Sequence, residues 1–215
     1  MSETFVIDVW SDVVCPFCYL GTRQLAGALE RFDHREHVEV RRRAFELDPF
    51  APHSYDRPLA DMVAAKYAIP VSQVHAMHER LVKSADELDM TWSMDAAKPT
   101  NTLDAHRVIA LASSQGRGDE MSERLFRAYF SEGELVSDHR LLSASAREVG
   151  VRDVDELWSS NALTDVVRAD EAAANELGIS GVPAFLVDAK FMVSGAQGID
   201  QILDVLQRAW ARRAA

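Results

Sequence analysis

The feature that most constrains this chain is the stretch Asp12 to Gly21, DVVCPFCYLG, because it carries the only two cysteines in 215 residues. It lies on a boundary between two hydrophobic patterns. Before it, Thr4 to Trp10 (TFVIDVW) is β-branched and aromatic and is bounded by Ser11-Asp12, which predicts a short buried strand. After it, Leu25, Ala28, Leu29 and Phe32 recur at helical spacing. Pro16 suits the first turn of that helix, where its missing N–H would have no partner in any case. Cys15 therefore falls at the helix start, and Cys18 about one turn further on.

The rest of the chain fits around this unit. Val38 to Phe45 begins with apolar and charged residues in alternation and reads as a second strand, ending before Asp48-Pro49 and the turn-rich Pro52 to Pro58. From 58 to 160 the signals are helical. Val74, Met77, Leu81, Ala85 and Leu88 form one stripe, Leu103, His106, Ile109 and Ala110 a second, and Leu125, Phe126, Tyr129 and Phe130 a third. A helix over Leu163 to Leu177 stops at Gly178, and AFLV (184–187), a turn at 188–190 and Phe191 to Val193 read as two strands. Ile199, Ile202, Leu203, Leu206 and Trp210 mark a last helix. The outer segments thus run β-α-β and then α-β-β-α. That order predicts an α/β, thioredoxin-like fold: residues 1–50 and 161–215 form the thioredoxin-like domain, and 51–160 an inserted all-helical domain.

The chemistry follows from the helix start. A thiolate is the nucleophile in disulfide exchange, and the N-terminus of a helix, with unpaired N–H groups and about +0.5 of a charge, stabilises it. Cysteines so placed have pKa values of ~3.5 to 7.5. Cys15 is the expected nucleophile and Cys18 the more buried resolving partner. Cys-x-x-Cys can also be half of a zinc site, but there is no second such pair, and His34/His37 and His75/His78 lie elsewhere in sequence, so no metal is expected. Pro183, after Gly178-Ile179-Ser180-Gly181-Val182, opens a strand and is expected to follow a cis bond. Val182 would then present its backbone to an extended peptide beside the cysteines.

Composition removes other classes. Lys plus Arg number 23 against 34 Asp plus Glu, a formal charge of −11 that repels nucleic acid and anionic lipid. No apolar run approaches the ~20 residues that span a bilayer. MSETFVIDVW lacks the basic and apolar regions of a secretory leader, so a cytoplasmic location is expected, where a close cysteine pair does chemistry more often than it braces a fold.

Several blocks together resemble the DsbA-like oxidoreductases, and within them the branch typified by the FrnE protein of frenolicin biosynthesis: DVVCPFCYLG, RRAFELDP (42–49), NTLDAHR (101–107), LFRAYFSEG (125–133), and GISGVPAFLV (178–187) with SGAQ (194–197). The resemblance implies a thioredoxin domain with a helical insertion, Cys15 and Cys18 as the redox centre, and Pro183 as the cis-proline. The expected substrate is a disulfide-containing protein or a small thiol or disulfide. No cofactor is expected beyond the redox-active disulfide, with glutathione as an alternative co-substrate, and the oligomeric state is open. Two departures matter. Phe17 stands where periplasmic relatives carry a histidine, which predicts a less oxidising pair, and the second cysteine pair of some FrnE-like proteins is missing.

The same fold serves kappa-class glutathione transferases and 2-hydroxychromene-2-carboxylate isomerases, which typically have serine where Cys15 stands. Ser194 to Gln197 would there offer backbone N–H groups to a carboxylate. A glutathione-dependent enzyme is thus the alternative to exchange chemistry, and a non-catalytic binding module a third reading. Asn101, near a helix start, reads first as a cap and His106 as a buried, hydrogen-bonded residue. Both would line the cleft if the helical domain closes over Cys15. The expected substrate-binding set is accordingly Pro16, Phe17, Val182, Pro183, Asn101, His106, Ser194 and Gln197. Arg41 to Arg43 reads as a solvated strand edge, and Trp92, Trp158 and the aromatics of 125–130 as core.

Overall fold

The computed structural model describes residues 4–213. In chain order the elements are β1 (Phe5–Ser11), α1 (Pro16–Glu30), β2 (Val38–Ala44), α2 (Leu59–Tyr67), α3 (Val71–Asp86), α4 (Leu103–Ser114), α5 (Gly118–Phe130), α6 (His139–Glu148), α7 (Thr164–Glu176), β3 (Ala184–Val187), β4 (Phe191–Ser194) and α8 (Ile199–Ala211). Short 3-10 turns occupy Arg35–His37, Met94–Ala96 and Val154–Ser159. The strands form one sheet in the order β2-β1-β3-β4. β1 runs parallel to β2, with Ile7 opposite Val40, and antiparallel to β3, with Val9 opposite Phe185. β3 and β4 form an antiparallel hairpin. The expected α/β thioredoxin-like architecture with many added helices is present.

Alternation along β1 sorts its side chains between two faces of the sheet. Phe5, Ile7 and Val9 are fully buried against Leu25 and Ala28 of α1 and Ile202 and Leu206 of α8. Trp10 packs on the opposite face with Ala174 of α7 and Ala184, and its indole donates to the Asp170 carbonyl at 2.9 Å. The helical residues build a second core, in which Leu125, Phe126 and Tyr129 of α5 gather with Val108 of α4 and Leu142 of α6. Cys15, Cys18, Tyr19 and Leu20 belong to that second core. The beginning of α1 is therefore the seam between sheet and helices. Among the described residues, no helix is long and apolar enough to cross a membrane.

Two expectations are corrected. Arg42 and Arg43 are not a solvated edge: β2 ends the sheet, yet α5 and α7 flank it and bring acids over its arginines. The Arg42 side chain is 8% exposed and donates to Asp119 of α5 at 2.6 Å, while Arg43 donates to Asp8 and Asp170 at 2.7 and 3.0 Å. On α3 the inward stripe holds Val74, His78 and Ala85, whereas Met77 is 41% exposed. Leu81 and Leu88 pack against the helical core as expected, so the stripe stands except that His78 takes the inward place of Met77.

Candidate active site

β1 and α1 place the cysteine pair. Cys15 is the residue before the first helical position of α1, with extended φ and ψ of −92° and 115°, and no side chain caps the helix start. Its carbonyl accepts from the Cys18 and Tyr19 amides at 3.0 and 3.3 Å. Pro16 then adopts its natural place in the first turn. Both cysteines are free thiols. Cys15 is 5% exposed and Cys18 fully buried, with exposed Phe17 between them. The order of burial suits an attacking sulfur at the rim and a resolving sulfur beneath it.

The loop before β3 closes the other side. The Val182–Pro183 bond is cis, and the Cys15 thiol donates to the Val182 carbonyl at 3.6 Å. α1 can approach this loop because residue 21 is glycine: a Cβ there would lie 2.9 Å from Pro183 Cγ and 3.1 Å from Phe185 Cζ. Beyond Pro183 an open groove runs past Val182, Gly181, Met192 and Ser194.

Beneath the pair lies a buried polar cluster. The Asp12 amide donates to Cys18 Sγ at 3.5 Å, and the Leu47 amide donates to Asp12 Oδ2 at 2.8 Å. His106 Nε2 lies 3.4 Å from Asp12 Oδ1, with both side chains almost fully buried. Neither of those two atoms has a well-formed hydrogen bond, so this contact is electrostatic. Burial pulls the His106 imidazole down, but the Asp12 carboxylate, helped by Glu46 and Glu171, outweighs it and raises its pKa. Burial raises the Glu46 carboxyl against the opposing pull of Arg168 and His106. Cys18 is pushed well above the ordinary thiol range, first by burial, then by its hydrogen bond to and the charge of Cys15, although the Asp12 amide acts in the other direction.

At neutral pH a resting Cys18 is therefore a thiol. Brief treatment of the reduced protein with iodoacetamide at pH 7 should add one carbamidomethyl group, on Cys15, with a second appearing only after denaturation. Peptide mass spectrometry checks this, and equal labelling of Cys18 in the native protein would contradict it.

Pro16, Phe17, Val182 and Pro183 stand together around Cys15. Ser194 lines the same groove as Val182 and Pro183. The Gln197 side chain donates from Nε2 to the Ser194 carbonyl at 2.6 Å. The Gly195 amide bonds the Pro183 carbonyl at 2.7 Å and the Gly198 amide Gln24 Oε1 at 2.9 Å. Within the loop expected to cradle a carboxylate, the Gly195 N–H is thus already engaged. Asn101 serves structure: Oδ1 accepts from the Leu103 amide at 2.9 Å, and Nδ2 donates to the Ala51 carbonyl at 3.2 Å. His106 faces Asp12 from below the cysteines rather than the groove. Sequence reading missed Asp12 and Glu46. The available signal was an acid three residues before Cys15 in an otherwise apolar stretch, but its partners come from Leu47 and α4, far along the chain.

A model of the DsbA-like thioredoxin domain matches residues 6–207. The chain belongs to that family. A probable DsbA oxidoreductase of Streptomyces coelicolor has a similar structure, with a TM-score of 0.92 and 33% identity over 96% of this chain and 90% of that one. The YwbO protein of Bacillus subtilis is 29% identical over 200 residues, 92% of this chain and 93% of YwbO. A 2-hydroxychromene-2-carboxylate isomerase shares the fold, with a TM-score of 0.73 at 16% identity over 97% of this chain and 98% of that one. DsbA-like members are disulfide oxidoreductases, and this chain carries Cys15 and Cys18 near each other at the start of α1.

Proposed function

We propose that this chain is a cytoplasmic thiol-disulfide oxidoreductase in which Cys15 attacks and Cys18 resolves. In the reducing direction the Cys15 thiolate attacks one sulfur of a substrate disulfide. A mixed disulfide forms, and the other substrate sulfur leaves as a thiolate that takes up a proton. Cys18, once deprotonated, attacks Cys15 Sγ, releases the second substrate thiolate and closes the Cys15–Cys18 disulfide. Two electrons pass from the pair to the substrate, and a second dithiol restores the pair by the reverse sequence. The Asp12 amide at Cys18 Sγ steadies the negative charge that develops there. Pro16, Phe17, Val182, Pro183 and Ser194 form the surface met by the substrate, with Val182 beside the reacting sulfur.

The observation that carries this reading is the 3.6 Å contact of Cys15 with the Val182 carbonyl above a fully buried Cys18. A glutathione-dependent isomerase would need the first sulfur alone, and the retained, buried second sulfur favours exchange over it. The test is Cys18→Ser. Incubated with a disulfide-containing peptide, this protein should accumulate a mixed disulfide at Cys15, visible as a mass increase that dithiothreitol reverses. Wild type should show none at steady state. Turnover maintained in Cys18→Ser without a trapped adduct would support the glutathione enzyme instead, and indifference of the protein to the substitution would support a binding module.

A further inference from the structure

The His75/His78 pair plays no part in the exchange chemistry, and the fold gives it a third companion. The two histidines lie one turn apart on α3, and the chain returns through the 3-10 turn Met94–Ala96 to set Asp95 beside them. One potential ligand atom from each of the three residues lies within 4.8 Å of the other two. His75 Nδ1 and Asp95 Oδ1 are already 3.7 Å apart, whereas ligands on a tetrahedral zinc ion at 2.0–2.1 Å are about 3.3 Å from each other. We propose that His75, His78 and Asp95 hold one divalent transition-metal ion of the zinc class, with water completing the coordination.

His78 provides the independent observation. It is 7% exposed, and its buried Nδ1 has no hydrogen-bond partner. A histidine buried only for packing is ordinarily paired, so a ring turned inward with an unsatisfied nitrogen marks a position that an ion would complete. The His75 and Asp95 side chains are 50% and 80% exposed, which opens a path from solvent and leaves them free to close the remaining distance. Two imidazoles and one carboxylate suit zinc and its neighbours, while calcium and magnesium prefer oxygen alone.

The ion would act as a clamp. It would fasten α3 to the segment containing Trp92, whose ring stacks on Tyr19 at 5.5 Å, directly after Cys18. Because thiols in general can take up zinc, the test uses the Cys15→Ser/Cys18→Ser protein, so its outcome is independent of the redox reading. Calorimetric titration with Zn²⁺ should show one bound equivalent, and Co²⁺ should give the visible bands of a low-coordinate site. Adding His75→Ala or Asp95→Asn, both at exposed positions, should weaken Zn²⁺ binding about tenfold or more and abolish the Zn²⁺-dependent rise in Tm. No saturable uptake of one equivalent, or an affinity unchanged by both substitutions, would overturn the proposal.

Discussion

Replacing Cys15 with serine should lower the rate of disulfide exchange by roughly a thousandfold or more, the scale on which loss of a covalent nucleophile acts. The reason is geometric as well as chemical. Cys18 is fully buried, and burial, the largest cause of its raised pKa, still holds it as a thiol when Cys15 is gone, so it cannot take over the attack on an incoming disulfide. Serine would preserve the hydrogen-bonding reach to Val182 while its hydroxyl remains un-ionised at neutral pH. Turnover of a fluorogenic disulfide peptide with dithiothreitol as reductant measures the effect, and circular dichroism establishes that the fold survives. Residual exchange within tenfold of wild type would mean that another group carries the chemistry.

The largest expected loss of stability comes from Phe126→Ala. Phe126 is fully buried, and its ring lies 4.8 Å from that of Tyr19 with only 5° between their planes. Tyr19 is also stacked on Trp92, and Trp92 on Phe130 at 4.8 Å, while the Tyr19 hydroxyl donates to Glu123 Oε1 at 2.7 Å. This aromatic stack fastens the active-site turn of α1 to α5. Truncation removes the apolar burial and leaves a cavity that so crowded a core cannot fill, for a loss of about 3–5 kcal/mol. Urea unfolding should show that loss as a lower midpoint with little change in slope. Phe50→Ala offers the contrast: Phe50 is 94% exposed, and its replacement should stay within about 0.5 kcal/mol. Equal effects at the two positions would refute this account of the seam.

What could be read from sequence was what depends on neighbours along the chain. The strand before Asp12, the helix opening at Pro16, the β3–β4 hairpin and the final helix all announce themselves through periodicity and turn residues. The cis bond before Pro183 was legible because the cysteine pair gave that proline a context. Other features depend on what the fold brings near. Nothing close to Arg42 in sequence announces Asp119, and nothing close to Asp12 announces His106. Asn101 reads first as a cap and only second as a cleft residue, and it bonds Ala51 and Leu103. His78 took the inward place that hydrophobicity assigned to Met77, because a spacing rule weighs apolar residues and is blind to a histidine with another use.

The central claim, that Cys15 and Cys18 form a working redox pair, is tested most directly by equilibrating the protein across a series of reduced and oxidised glutathione ratios and quantifying both thiols by mass spectrometry after acid quenching. A single two-electron transition should interconvert the dithiol and an intramolecular Cys15–Cys18 disulfide, reversibly, and at a more reducing ratio than for a Phe17→His variant. A pair that stays reduced across the whole series, or that oxidises only between molecules, would contradict the account.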